Sequence, residues 1–225
     1  MNRALWAAAA TGVQVGAAIV ASRFAVAEVP PLTLALLRYT IGFACLAPFA
    51  VRFLGSFRAD PGVERPPGAM HSGVRDIAVM AALGIGQFAV LIALLNFGLQ
   101  RVGAARAALI FSLLPLLTMA LAAALGRERV TAGLGAGVVL SIAGVALSLA
   151  PRLGTSVPGT WVGELAVLAS AGVGAVCSVL YRPYLRRYPT LPVSALAMGA
   201  SVLFLALLAL SEAWPARVAG LSGPA

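Results

Sequence analysis

The sequence predicts an all-α fold, a polytopic bundle of about seven transmembrane helices. Three observations point there. The 225 residues are 61% hydrophobic and 10% charged, with a mean hydropathy of +0.98; soluble domains carry about 25% charged residues. Apolar runs of roughly 20 residues, the length that crosses a bilayer, recur along the chain. All sixteen basic residues are arginine, and they gather mostly in the gaps between those runs.

The expected spans are 4–22, 32–51, 76–98, 104–125, 132–150, 161–181 and 191–211. Each is too long for a strand and lacks strand alternation, and lipid admits only helices or closed barrels. The first run is followed by "AVAE" at Ala25 to Glu28, which mimics a cleavage site. The run is too long for a signal core and Arg23 interrupts it, so it reads as the first span. It carries Gly12 and Gly16 in GxxxG spacing, which lets helix backbones approach. The second span opens at Pro31 and contains Arg38; the third contains Gln87 and Asn96. The fourth has Pro115 near its middle, where a kink is expected. The fifth shows a stripe of Gly133, Gly137, Ser141, Gly144 and Ser148, and the sixth a stripe of Ala166, Ser170, Gly174 and Ser178. Between the second and third spans, "RFLGSFRADPGVERPPGAMHSGVRD" reads as a flexible linker.

Loop arginines set the orientation. Arg3, Arg52, Arg58, Arg65, Arg75, Arg127, Arg129, Arg182, Arg186 and Arg187 lie on one side; Arg23, Arg101, Arg106, Arg152 and Arg217 lie on the other. Ten against five places the N-terminus in the cytoplasm. The net charge of +9 would by itself suggest nucleic acid. No basic stripe with interleaved aromatics accompanies it, so no nucleic-acid partner is expected; membrane lipid is.

Enzyme chemistry has no motif here: no GxSxG, HExxH or P-loop, and no histidine within a span. His71 lies in a polar loop, and Cys45 and Cys177 read as buried thiols acting as small apolar side chains. No catalytic residue, cofactor or metal is therefore expected. The polar residues at membrane depth are the candidate substrate-binding set: Gln14, Arg38, Gln87, Asn96 and Glu164. For the amides, interhelical hydrogen bonding and ligand contact stand level. Glu164 sits one turn into its helix, where a solvated interfacial carboxylate is the plain alternative.

Arg38 lies seven residues beyond Pro31, roughly 10 Å deep at about 1.5 Å per residue. A central arginine costs about 2.5–3.5 kcal/mol on the insertion scale, and strong apolar residues return about 0.3–0.6 each. Nine such residues in 32–51 offset it. The helix therefore inserts with Arg38 unaided, which leaves two roles: snorkelling to the outer interface, or facing the interior to pair with Glu164 or an anionic substrate group. Tyr39 points about 100° away and faces other surroundings.

The segment "NFGLQRVGAARAALIFSLLPLLTMALAAALGRERVTAGLGAGVVLSIAGVALS" resembles the end of the repeat unit of the EamA family in the drug/metabolite transporter superfamily. The matching features are the small-residue turn before the fourth span, Pro115, Glu128 in "GRERVT", and the glycine-spaced fifth span. Trp6, Pro31 and "LALLRYTIGF" resemble the start of the same repeat. In residues 151–225, Trp161 and Pro192 echo Trp6 and Pro31. The resemblance implies one complete five-helix repeat over 1–150 and, over 151–225, two helices of an inverted second repeat, with about three helices fewer than the family pattern. It implies a fragment of a longer protein, or a short form completed by homo-oligomerisation. It also implies a secondary transporter of the bacterial inner membrane, an exporter of a small metabolite such as an amino acid, working by alternating access. Arg38 would be an electrostatic anchor, Gln14, Gln87 and Asn96 hydrogen-bonding partners, and Glu164 a proton-coupling group. Glu128 would be a structural loop residue. The alternative is a truncated membrane protein with only a structural or partner-binding role.

Overall fold

The structure is a computed structural model. It describes residues 2–27, 29–52, 72–127 and 160–212, together with part of 131–147. Every regular element among the described residues is helical. In chain order they are α1 (Asn2–Ala25), α2 (Pro31–Arg52), α3 (Ser72–Gly84), a π-helical segment (Ile85–Val90), α4 (Leu91–Leu99), α5 (Ala104–Phe111), α6 (Leu114–Ala124), α7 (Thr160–Arg187), α8 (Thr190–Ala209) and a closing 3₁₀ turn (Leu210–Glu212). The described residues of 133–147 are helical as well. Residues 53–71 of the linker, Glu128 and most of the fifth expected span lie outside the described residues, while the linker's ends, Arg52 and 72–76, belong to α2 and α3.

Five helical stretches among the described residues are long and apolar enough to cross a membrane: Pro31–Phe49, Val74–Leu99, Ala104–Ala124, Trp161–Arg187 and Thr190–Glu212. Within α1, the apolar stretch Gly12–Ala25 is shorter. Large apolar side chains point outward from these helices: Leu203 is 71% exposed, Leu207 69% and Ile41 65%. A surface this apolar is not stable against water and fits a lipid-facing one. The chain is a multi-pass helical membrane protein.

The chain divides into two compact units. Unit 1 is Met1–Pro31 with Ala93–Gly172, and unit 2 is Leu32–Ile92 with Val173–Ala225. In unit 1, α4 and α7 meet at glycine. A Cβ on Gly98 would lie 2.5 Å from Val167 Cγ2 and 2.8 Å from the Gly163 carbonyl oxygen. Only a residue without a side chain permits that approach. In unit 2, Met80, Tyr181, Val193 and Ala197 form a buried cluster, with Leu83, Phe88, Tyr184, Tyr188 and Leu196 packed on it.

Several boundaries differ from the sequence expectation for identifiable reasons. The fourth span is two helices. Ser112 and Leu113 interrupt it, and Pro115 sits in the first turn of α6, where its missing N–H is no loss. The expected kink is thus a two-residue interruption whose backbone stays right-handed helical. At its other end, α6 stops at Gly126, whose φ is +66°. Arg127 N–H donates to Ala122 O and Gly126 N–H to Ala123 O, both at 2.9 Å, the paired bonds of a Schellman stop. The sixth span overruns its expected end at 181 by six residues. Its tyrosines hold it there: Tyr181 donates to the Met80 carbonyl at 2.6 Å and Tyr188 to Asp76 Oδ2 at 2.9 Å. Tyrosine brings an apolar body and a polar tip, so a segment too polar for the hydropathy pattern still packs. Cys177 is buried as expected, but Cys45 is exposed; it sits among lipid-facing positions of α2, where a thiol serves as a small apolar group. The stripe of α7 is packed, with Ala166, Ser170 and Gly174 buried and Ser178 half-buried. Gly12 and Gly16 of α1 have open space where a side chain would stand.

Candidate functional site

Gln87 lies near the middle of the Val74–Leu99 span, inside the π segment. The segment is closed by Leu91 N–H donating to Gly86 O, a step of five residues where an α-helix takes four. Such single-turn bulges are rare and occur often at functional sites. The Gln87 Oε1 atom is buried with no hydrogen-bond partner. Its neighbours are committed to packing: a Cβ on Gly86 would meet Cys177 Sγ at 2.6 Å, and Phe88 meets Tyr39 edge-on at 5.4 Å between centroids.

Asn96 is buried on α4, 2% exposed. Its Nδ2 donates to the Pro31 carbonyl at 3.0 Å. Glu164, one turn into α7, accepts from Arg106 Nη1 at 2.9 Å; the side chains are 36% and 16% exposed. From sequence Glu164 stood open to Arg38, whereas the structure gives it Arg106 of the same unit. Nearby in sequence, Arg101 lies 3.7 Å over the Phe97 ring and donates to the Phe97 carbonyl at 3.2 Å. Arg38 is exposed on α2, and Tyr39 beside it is half-buried against Phe88, so the two do face different surroundings. Gln14 is exposed on α1. Within unit 1 the structure thus provides the Asn96–Pro31 and Arg106–Glu164 contacts, and within unit 2 the unpartnered Gln87.

Two participants escaped the sequence reading. By sequence Arg106 reads only as a loop arginine, yet it lies in the first turn of α5 and holds Glu164. Glu212 carries no local sequence signal for its role. Its carboxylate accepts from Leu32 N–H at 3.1 Å, Thr33 N–H at 2.8 Å and Thr33 Oγ1 at 2.9 Å. It caps α2 from the far end of the described chain. Outside the spans, the Tyr188 hydroxyl is held above its ordinary pKa by burial first and by its bond to the Asp76 carboxylate second. Among the described residues, no group of three or more His, Cys, Asp or Glu side chains is placed to hold a metal ion.

Residues 2–150 match the EamA-like transporter family. Over 207 residues the chain is 31% identical to a protein of Streptantibioticus cattleyicolor named "Probable terminal-alkyne amino-acid exporter", covering 91% of this chain and 63% of that one. The chain therefore spans 63% of the length of this curated relative. A solved crystal structure superposes with a TM-score of 0.61 at 25% identity, covering 89% of this chain and 67% of the other.

Proposed function

Because the chain belongs to the EamA-like transporter family, we propose that it is the larger part of a secondary transporter that exports a small metabolite such as an amino acid. The observation that carries this is the family match over 2–150, joined by the likeness to a relative named as an amino-acid exporter. Residues 1–150 are read as the first five-helix repeat and 151–225 as the start of an inverted second one, which would alternately open a mid-membrane site to either face. The protein sits in the bacterial inner membrane with its N-terminus in the cytoplasm, following the arginine bias. It is not an enzyme. Coupled movement of substrate, rather than bond chemistry, is its work.

The substrate-binding set is Gln14, Arg38, Gln87, Asn96 and Glu164. Arg38 anchors an anionic group. What supports this is its depth in α2 and its exposed position on that helix. Gln87 offers an unsatisfied acceptor at mid-span. Asn96 and Glu164 support the site through the bonds they make within unit 1, and Gln14 contributes from α1.

The test is export of 2-amino-4-pentynoic acid, a simple terminal-alkyne amino acid, by cells expressing the full-length protein. Arg38→Ala abolishes export, while membrane-fraction immunoblots show the variant inserted as before. Normal export by that variant would remove the anchor role. The reading of a merely structural truncated protein gains support only if no full-length form moves any amino acid.

A further inference from the structure

Resting on the transporter reading above, we propose that the Gln87 side-chain oxygen is a selectivity element that accepts a hydrogen bond from a protonated amine on the substrate. A buried acceptor left without a donor is destabilising, and native chains rarely carry one without a use. Among the described residues the orphan is Gln87 Oε1, near the middle of a 26-residue span, where lipid supplies no donor.

The backbone around it is also unusual. Six residues, Ile85–Val90, run as π-helix between two α-helical stretches. Two glycines precede Gln87, and both are pressed against neighbours in unit 2. A Cβ on Gly84 would meet Ala197 Cα at 2.5 Å, and one on Gly86 would meet Cys177 Sγ at 2.6 Å. Phe88 is committed to Tyr39. The local register thus commits 84, 86 and 88 to packing on α8, α7 and α2 and leaves the intervening amide unused.

A carboxamide oxygen can only accept, so its partner must be a donor. A charged donor makes a bond about twice as strong as a neutral one. Amino acids carry that group, and their deaminated analogues do not. Oε1 is closed off in the conformation described here, so substrate reaches it only when the transporter opens.

The experiment uses the full-length protein in proteoliposomes with three probes of one skeleton: 2-amino-4-pentynoic acid, 2-hydroxy-4-pentynoic acid and 4-pentynoic acid. Wild type is compared with Gln87→Leu. Losing one charged hydrogen bond predicts a loss of about tenfold or more in apparent affinity for the amine, a smaller loss for the hydroxy acid, and no change for the deaminated acid. Without substrate, Gln87→Leu raises the melting temperature in detergent, because an unpaired polar group has been removed. Equal effects on all three probes would overturn the assignment, as would a lowered melting temperature, which would mean the amide has a structural partner. A wild-type protein that moves none of the three contradicts the substrate reading itself and the amine assignment with it; equal effects on the three by Gln87→Leu contradict the assignment alone.

Discussion

Glu212 shows how much one side chain can organise at a helix end. The first N–H groups of α2 have no partner within the helix. Pro31 removes one by having none, and Glu212 takes those of Leu32 and Thr33 together with the Thr33 hydroxyl. An anion at a helix N-terminus is favourable electrostatically as well as through its bonds. Glu212→Ala is expected to cost about 1–2 kcal/mol. That lowers the melting temperature of the purified protein in detergent by roughly 2–8 °C, and Glu212→Gln, which keeps an acceptor, loses less. An unchanged melting temperature in the alanine variant would show the cap to be energetically idle. The Arg106–Glu164 pair is a smaller contributor, because Glu164 keeps a third of its surface open and exposed pairs are screened.

At the scale of elements, α4 and α7 are joined through glycine. Gly98 and Gly163 let the helices touch along their backbones, with Val102 and Val167 closing the sides. Gly98→Leu forces four extra carbons into that contact. It should destabilise by about 1–3 kcal/mol or more, read as a lower midpoint in thermal or denaturant unfolding, while the same change at Gly12, which has open space around it, leaves stability near wild type. Element boundaries show what hydropathy can and cannot tell. The spans in 32–51, 76–98, 104–125, 161–181 and 191–211 were legible because lipid demands long apolar runs, and Pro115 announced the interruption in 104–125. The π segment was not legible, since nothing in "GIGQFAV" distinguishes a five-residue hydrogen-bond step from a four-residue one. The overrun of α7 was hidden because Tyr181 and Tyr188 hold it by bonds to residues about a hundred positions away. Glu212 and Leu32 are 180 positions apart, and no local pattern links them. Of the site, the residue types were visible in the sequence, but which amide would be spent on a carbonyl and which left unpartnered was a tertiary outcome.

For the whole molecule, the composition, the outward apolar side chains and the family match agree on a multi-pass membrane protein of the EamA-like transporter family. The chain spans 63% of the length of its curated relative, and transport is proposed for the full-length protein. The most direct measurement is counterflow. Full-length protein is reconstituted into liposomes loaded with unlabelled 2-amino-4-pentynoic acid, and uptake of the labelled compound is followed after dilution. The account predicts saturable uptake that exceeds protein-free liposomes and falls to their level with Arg38→Ala. Uptake no greater than protein-free liposomes, with the protein folded and inserted, would contradict it.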